Sequence, residues 1–142
     1  MSPADKRTAY RIYLYLAALF ITSLVVSNLI FQKFFFWKPF GDATLFGAPL
    51  FEISVGVLPY PITFLITDLI SEIYGQKKAN RVVTAGIFAS FFSMGIVLLA
   101  DRVPSIPDSP VDDGLFSRVF ALSPIAVLAS MIAYLAAQYV DI

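Results

Sequence analysis

"LPYPITFLITDLISEIYGQKK", Leu58 to Lys78, decides how this chain is read. The stretch is apolar enough to cross a bilayer, but only if Asp68 and Glu72 are tolerated inside it. A helix needs roughly 20 mostly apolar residues to span the hydrocarbon. Three other runs meet that length without question. Arg11 and Lys33 bracket Ile12 to Gln32, Arg81 and Asp101 bracket Val82 to Ala100, and Arg118 and Asp141 bracket Val119 to Val140. A buried core helix of a soluble domain explains one such run, not three in 142 residues. Composition agrees: 58% of residues are hydrophobic and 14% charged, where a soluble domain carries about 25% charged. The mean hydropathy is +0.79. The expected fold is all-α, one polytopic membrane helix bundle over residues 1–142, with spans near 12–32, 57–74, 82–100 and 120–142.

Several chemistries are excluded at once. The chain has no Cys and no His, which removes disulfides, thiolate ligands and the Ser-His-Asp triad. No catalytic or metal-binding residues are assigned and no cofactor is expected. No Gly-x-x-x-x-Gly-Lys-Ser/Thr stretch for ATP occurs. The net charge is zero, so nothing draws the chain to nucleic acid. The N-terminal "MSPADKRTAYR" is polar and basic, and the apolar run behind it is too long for a signal-peptide core. It reads as a retained first helix.

Orientation follows from Lys and Arg in the short connections. Lys6, Arg7 and Arg11 precede span one, and Lys77, Lys78 and Arg81 lie in "GQKKANR" between spans two and three. The opposite connections hold only Lys33 and Lys38, and Arg102 and Arg118. The asymmetry places the N-terminus and Lys77 in the cytoplasm. Tyr10, Tyr13 and Tyr15 at one end of span one and "FFFWKPF", Phe34 to Phe40, at the other suit the two interfaces.

Pro59-Tyr60-Pro61 and Ser123-Pro124 read as the starts of spans two and four, and Gly75 as the end of span two. The Gly-rich segment "FGDATLFGAPLFEISVGVLPYP", Phe40 to Pro61, reads as a hairpin or partly re-entrant loop packed over the bundle. Ala85, Ala89 and Ser93, and Ala129, Ala133 and Ala137, form small-residue stripes that suit close helix packing.

The remaining polar residues need another account. Span two carries Thr63, Thr67 and Ser71, with Asp68 and Glu72 on the adjoining strip. Span one offers Ser23, Ser27 and Asn28, and span four lines up Ser130, Tyr134, Gln138 and Asp141. Ser and Thr can bond their own helix backbone. A carboxylate deep in a span costs about 3 kcal/mol, so Asp68 should face a cavity, a partner or water. Two plainer readings stand beside a ligand or proton site. Glu72 snorkels to water or pairs with Lys77 or Lys78, and Asp68 is a neutral acid bonded to another helix.

These residues carry a resemblance. "SNLIFQK", Ser27 to Lys33, then "LPYPITFLITDLISEIYGQKKANRVV", Leu58 to Val83, then "SPIAVLASMIAYLAAQYVD", Ser123 to Asp141, together resemble the queuosine precursor transporter family, also called the vitamin-uptake-type family. The pattern of Pro61, Thr63-Phe64, Thr67-Asp68, Glu72, Tyr74-Gly75 and Arg81 looks like its central signature. Ala129-Ser130, Ala133-Tyr134, Gln138 and Asp141 look like its second. The resemblance implies a six-helix inner-membrane importer of a 7-deazaguanine, chiefly 7-cyano-7-deazaguanine, similar in fold to the substrate-binding subunits of energy-coupling-factor transporters. It implies a substrate site drawn from Asn28, Thr67, Asp68, Glu72, Ser130, Tyr134, Gln138 and Asp141. The family continues beyond the span-four aspartate, whereas this chain ends at "QYVDI". Further helices or a partner subunit are therefore expected in functional material. Rival readings are a carrier or binding subunit for another polar solute, an intramembrane aspartyl enzyme using Asp68 and Asp141, and a non-transporting assembly subunit.

The cysteine-free background makes the orientation directly testable. A single Cys introduced at Lys77 should resist an impermeant maleimide added outside intact cells, and one at Asp108 should react. Labelling of position 77 from outside reverses the assignment.

Overall fold

A computed structural model describes residues 3–37, 44–45, 48–49, 52–121, 128–129, 132–133, 136–137 and 140. The chain is mostly helical, as expected. Helix α1 is Pro3–Ile30, α2 is Tyr60–Tyr74, α3 is Gln76–Asp101 and α4 is the single turn Asp113–Phe116. Between α1 and α2 lie four short strands, β1 (Phe34–Phe36), β2 (Thr44–Leu45), β3 (Ala48–Pro49) and β4 (Glu52–Ser54). Strand β1 pairs antiparallel with β4 and β2 with β3, two short ladders in the region where the sequence suggests a hairpin. A π-helical turn, Ser117–Ala121, follows α4. The predicted fourth span lies largely outside the described residues, as do the Ser123-Pro124 start and the site candidates Ser130, Tyr134, Gln138 and Asp141. Of its alanine stripe, Ala129, Ala133 and Ala137 are helical and exposed.

Three helical stretches are long and apolar enough to cross a membrane: Ala4–Ile30, Val55–Tyr74 and Gln76–Asp101. The second reaches 20 residues only because a 3-10 turn, Val55–Val57, precedes α2. Helix α2 alone has 15 residues, about 22 Å at 1.5 Å per residue, short of a hydrocarbon core of about 30 Å. No span is more than 28% buried. Large apolar side chains such as Phe88, Phe92 and Leu99 point outward from α3. Apolar surface on that scale requires a bilayer or further helices to cover it.

The three helices share one core. Phe20 and Leu24 of α1 meet Ile66 and Ile70 of α2 and Ala79, Val82 and Val83 of α3. The seam of α3 is Ala79, Val82, Val83, Gly86 and Ser90, not the predicted stripe. Ala85 is exposed, and Ala89 and Ser93 are only half-buried. The Phe20 ring explains the choice. It fills the hollow over Gly86, where a Cβ would lie 2.7 Å from Phe20 Cε1.

The expected loop "GQKKANR" is instead helix. One residue, Gly75, turns the chain from α2 into α3, with φ +86° and its N–H on Ser71 O at 3.0 Å. Its own carbonyl accepts from Lys78 N at 3.0 Å, which opens α3. Lys77 and Lys78 thus sit in the first turn of a helix, where the dipole disfavours a cation by about 0.3–1 kcal/mol. For Lys78 a compensation is visible. Its Nζ lies 5.5 Å from the Tyr13 ring centre and 5.2 Å from that of Tyr74, each contact contributing about 0.5–1 kcal/mol at an exposed site. The two rings meet edge-on at 5.4 Å. Tyr74 Oη donates to Ala9 O at 2.8 Å, fastening the end of α2 to α1.

The other end of α2 is fastened by a closer approach. Ser27 Oγ donates to the Gly56 carbonyl, Ser54 Oγ donates to Phe31 O, and Val55 N donates to Lys33 O at 2.7 Å. Gly56 is buried so tightly that a Cβ would stand 2.8 Å from Ser27 O and 2.8 Å from Phe31 Cβ. Three residues on, Pro59 caps α2 and Pro61 occupies its first turn, as the sequence suggested.

Two glycine substitutions should separate packing from propensity. Gly56→Ala meets α1 backbone and should lower stability in detergent by about 1–3 kcal/mol, the range for overpacking. Gly95→Ala meets nothing within 4 Å and should be neutral or stabilising by about 0.5–1 kcal/mol, as expected in a helix interior. Equal thermal midpoints for Gly56→Ala and wild type would contradict the close approach.

Candidate functional site

Helix α2 has two chemically opposite faces. Thr63, Ile66, Thr67 and Ile70 are buried against α1 and α3. Thr63 Oγ1 donates to Tyr60 O at 2.7 Å. Thr67 Oγ1 lies 2.9 Å from Phe64 O and 3.1 Å from Thr63 O. Both hydroxyls therefore donate within their own helix, which lets a polar side chain sit in an apolar seam. Thr67 belongs to this packed face.

Asp68 and Glu72 are exposed on the other side. At about 100° per residue, Asp68 lies about 140° from Thr63 around the helix axis and Glu72 about 180°. Pro61 and Leu65, also exposed, flank them. Asp68 is six residues before the Tyr74 end of α2, about 9 Å along the axis, while Glu72 is only about 3 Å from it. Asp68 is the deeper of the two. Glu72 is within easy reach of the Gly75 end, which suits a snorkelling carboxylate.

Asn28 belongs to a different neighbourhood. Its Nδ2 donates to Ser90 Oγ at 3.3 Å, joining α1 to α3. It also lines a cavity of about 160 Å³ with Ser27, Phe31, Ser54, Gly56, Val57 and Tyr60. That cavity lies between the end of α1 and the turn that enters α2. The α1 side of α2 is the threonine face, so Asn28 and Asp68 are not brought together by the described residues.

Ser90, Ser54 and Tyr60 were not singled out from the sequence as site residues. Ser90 could have been found, since it follows Gly86 by four residues on the face that meets α1. Ser54 and Tyr60 are placed by strand β4 and the turn after it, which no periodicity predicts. Among the described residues no group of three or more His, Cys, Asp or Glu is placed to hold a metal ion.

Comparison with known proteins bears on these faces. Neither a search of curated proteins nor a search of solved structures finds a match. One protein-family model does match, over residues 54–142, more than half of the chain. The matched region starts at the turn beneath α1 and contains Gly56, Asp68, Glu72, Gly75 and Ser90, with Asn28 outside it. With its membrane-length helices and this match, the chain is a membrane protein that belongs to the family described as "Putative vitamin uptake transporter".

Proposed function

We propose that the protein imports a 7-deazaguanine, chiefly 7-cyano-7-deazaguanine, across the inner membrane for synthesis of the tRNA base queuosine. The N-terminus and the Gly75 turn lie on the cytoplasmic side in this reading. The observation that carries it is the position of Asp68: inside an apolar helix of membrane-spanning length, about two turns from its Tyr74 end, on the face turned away from the packed core. Family membership supports uptake, and the substrate is argued from chemistry. A carboxylate at that depth costs about 3 kcal/mol, which a ligand with matching donors offsets.

A guanine-like edge offers two adjacent donors, the ring N–H and the exocyclic amine. One carboxylate can accept both in a bidentate, charge-assisted geometry. Gln138 and Ser130 would read the remaining polar edges, since amide and hydroxyl each donate and accept. Tyr134 would stack on the flat ring. Asp141 and Glu72 would bound the site electrostatically. Thr67 and Asn28 act one layer behind, holding α2 to itself and α1 to α3. A second reading is uptake of a vitamin, which the family's description favours. Excess vitamin competing with labelled deazaguanine would distinguish the two.

Asp68→Asn keeps the size and loses one acceptor and the charge. The amide would set its own N–H₂ against a ligand donor. The loss should be about 2–4 kcal/mol, or roughly 30- to 800-fold in affinity. Glu72→Gln should cost far less. Binding and uptake of radiolabelled 7-cyano-7-deazaguanine should be measured on both variants. If Asp68 carries a coupled proton, Asp68→Asn binds ligand but no longer accumulates it. Wild-type binding together with wild-type uptake in Asp68→Asn removes the carboxylate from the site.

A further inference from the structure

A second polar feature lies where α1 leaves its span. Lys33, three residues after α1, and Arg118, in the π turn, line one cavity of about 410 Å³. Leu29, Ile30, Val119 and Phe120 form its apolar wall. Two cations facing one cavity repel each other, and an anion between them reverses that penalty. A third group points the same way. Gln32 also lines this cavity, and its Nε2 is buried without a hydrogen-bond partner among the described residues. An unmet buried donor is costly, about 1–3 kcal/mol, and rotation of the Gln32 amide toward the cavity would let an anionic oxygen satisfy it.

The nearby carboxylates are occupied elsewhere. Asp101 accepts from Ser117 Oγ, Asp112 Oδ1 caps Leu115 N at 2.7 Å, and Asp113 Oδ1 accepts from Ser105 N at 2.8 Å. All three line a separate, smaller cavity of about 80 Å³. Asp101, Asp112 and Asp113 thus line a different cavity from Lys33 and Arg118.

We propose that the Lys33–Gln32–Arg118 cavity binds an acidic phospholipid. The phosphate sits between the two cations and accepts from Gln32 Nε2, and an acyl chain runs along Ile30, Val119 and Phe120. The apolar wall selects this occupant over a soluble phosphate. Ile30, Val119 and Phe120 are each at least 37% exposed, continuous with the surface that a bilayer would cover. The site does not depend on which solute is imported.

The full chain in detergent can be titrated with phosphatidylglycerol and followed by native mass spectrometry. Phosphatidylcholine and inorganic phosphate serve as the comparison arms. Phosphatidylglycerol should bind at one saturable site, and Lys33→Gln and Arg118→Gln should each weaken it roughly fivefold, at about 1 kcal/mol per cation. Arg118→Lys should retain most of the binding, and Gln32→Leu should weaken it without changing net charge. Unchanged circular dichroism in these four variants and in the Lys33→Gln/Arg118→Gln double variant shows that they fold, and a variant that does not is replaced by labelling Lys33 with and without lipid. Equal binding of phosphatidylcholine overturns the proposal. So does inorganic phosphate displacing the lipid at matched concentration, or full affinity in the Lys33→Gln/Arg118→Gln double variant.

Discussion

Helix α2 has to satisfy two environments with one short segment. Its threonine face must pack dry against α1 and α3, while its carboxylate face must avoid hydrocarbon. Which residues meet which medium depends on a single variable, the rotation of the helix about its axis. A turn of about 100° would bring Asp68 toward the position of Thr67 and bury a charge beside Phe20 and Ile70. The rest of the described structure can be understood as what fixes that rotation.

Both ends of α2 are fixed by backbone contacts to α1. At one end the Gly56 turn lies against Ser27 and Phe31 with no room for a side chain. At the other, Tyr74 bonds Ala9 O, and Gly75 takes a conformation with positive φ that side chains rarely adopt. Between the ends, Thr63 and Thr67 satisfy their hydroxyls internally, so the packed face loses no hydrogen bond on burial. Gly86 then lets Phe20 approach α3, which closes the three-helix core. Among the described residues, these constraints set the outward direction of Asp68.

Much of this was legible in the sequence because it depends on local rules. Charges bracket the apolar runs, prolines open α2 and Gly75 closes it. The paired short strands were legible from the glycines and short apolar pieces. What escaped depends on how distant segments meet. The seven residues from Gly75 to Arg81 looked like a loop because they are polar, yet a single glycine makes the turn and the lysines enter α3. A four-residue spacing picked out Ala85, Ala89 and Ser93, but the ring of Phe20 selects Gly86 and its neighbours instead. Asn28 stands out in the sequence as a polar residue of span one, but its partner Ser90 depends on the register of α1 against α3. Asp68 and Glu72 were read correctly as one strip, because helical spacing alone places them. Their separation from Thr67 into packed and open faces required the core to be seen.

The central claim is that the Asp68 face of α2 meets protein or water in the membrane, not lipid. Leu65 lies on that face and is 60% exposed, so it can carry a reporter without disturbing the threonine seam. A nitroxide at position 65, in protein reconstituted into bilayers, can be probed with oxygen, which concentrates in lipid, and with a water-soluble nickel chelate. A nitroxide at Phe88, an exposed apolar position on α3, supplies the comparison. The account predicts that the label at 65 is immobilised or reached by the nickel chelate, with oxygen collisions well below those at 88. A mobile label at 65 with oxygen-dominated collisions equal to those at 88 would contradict it.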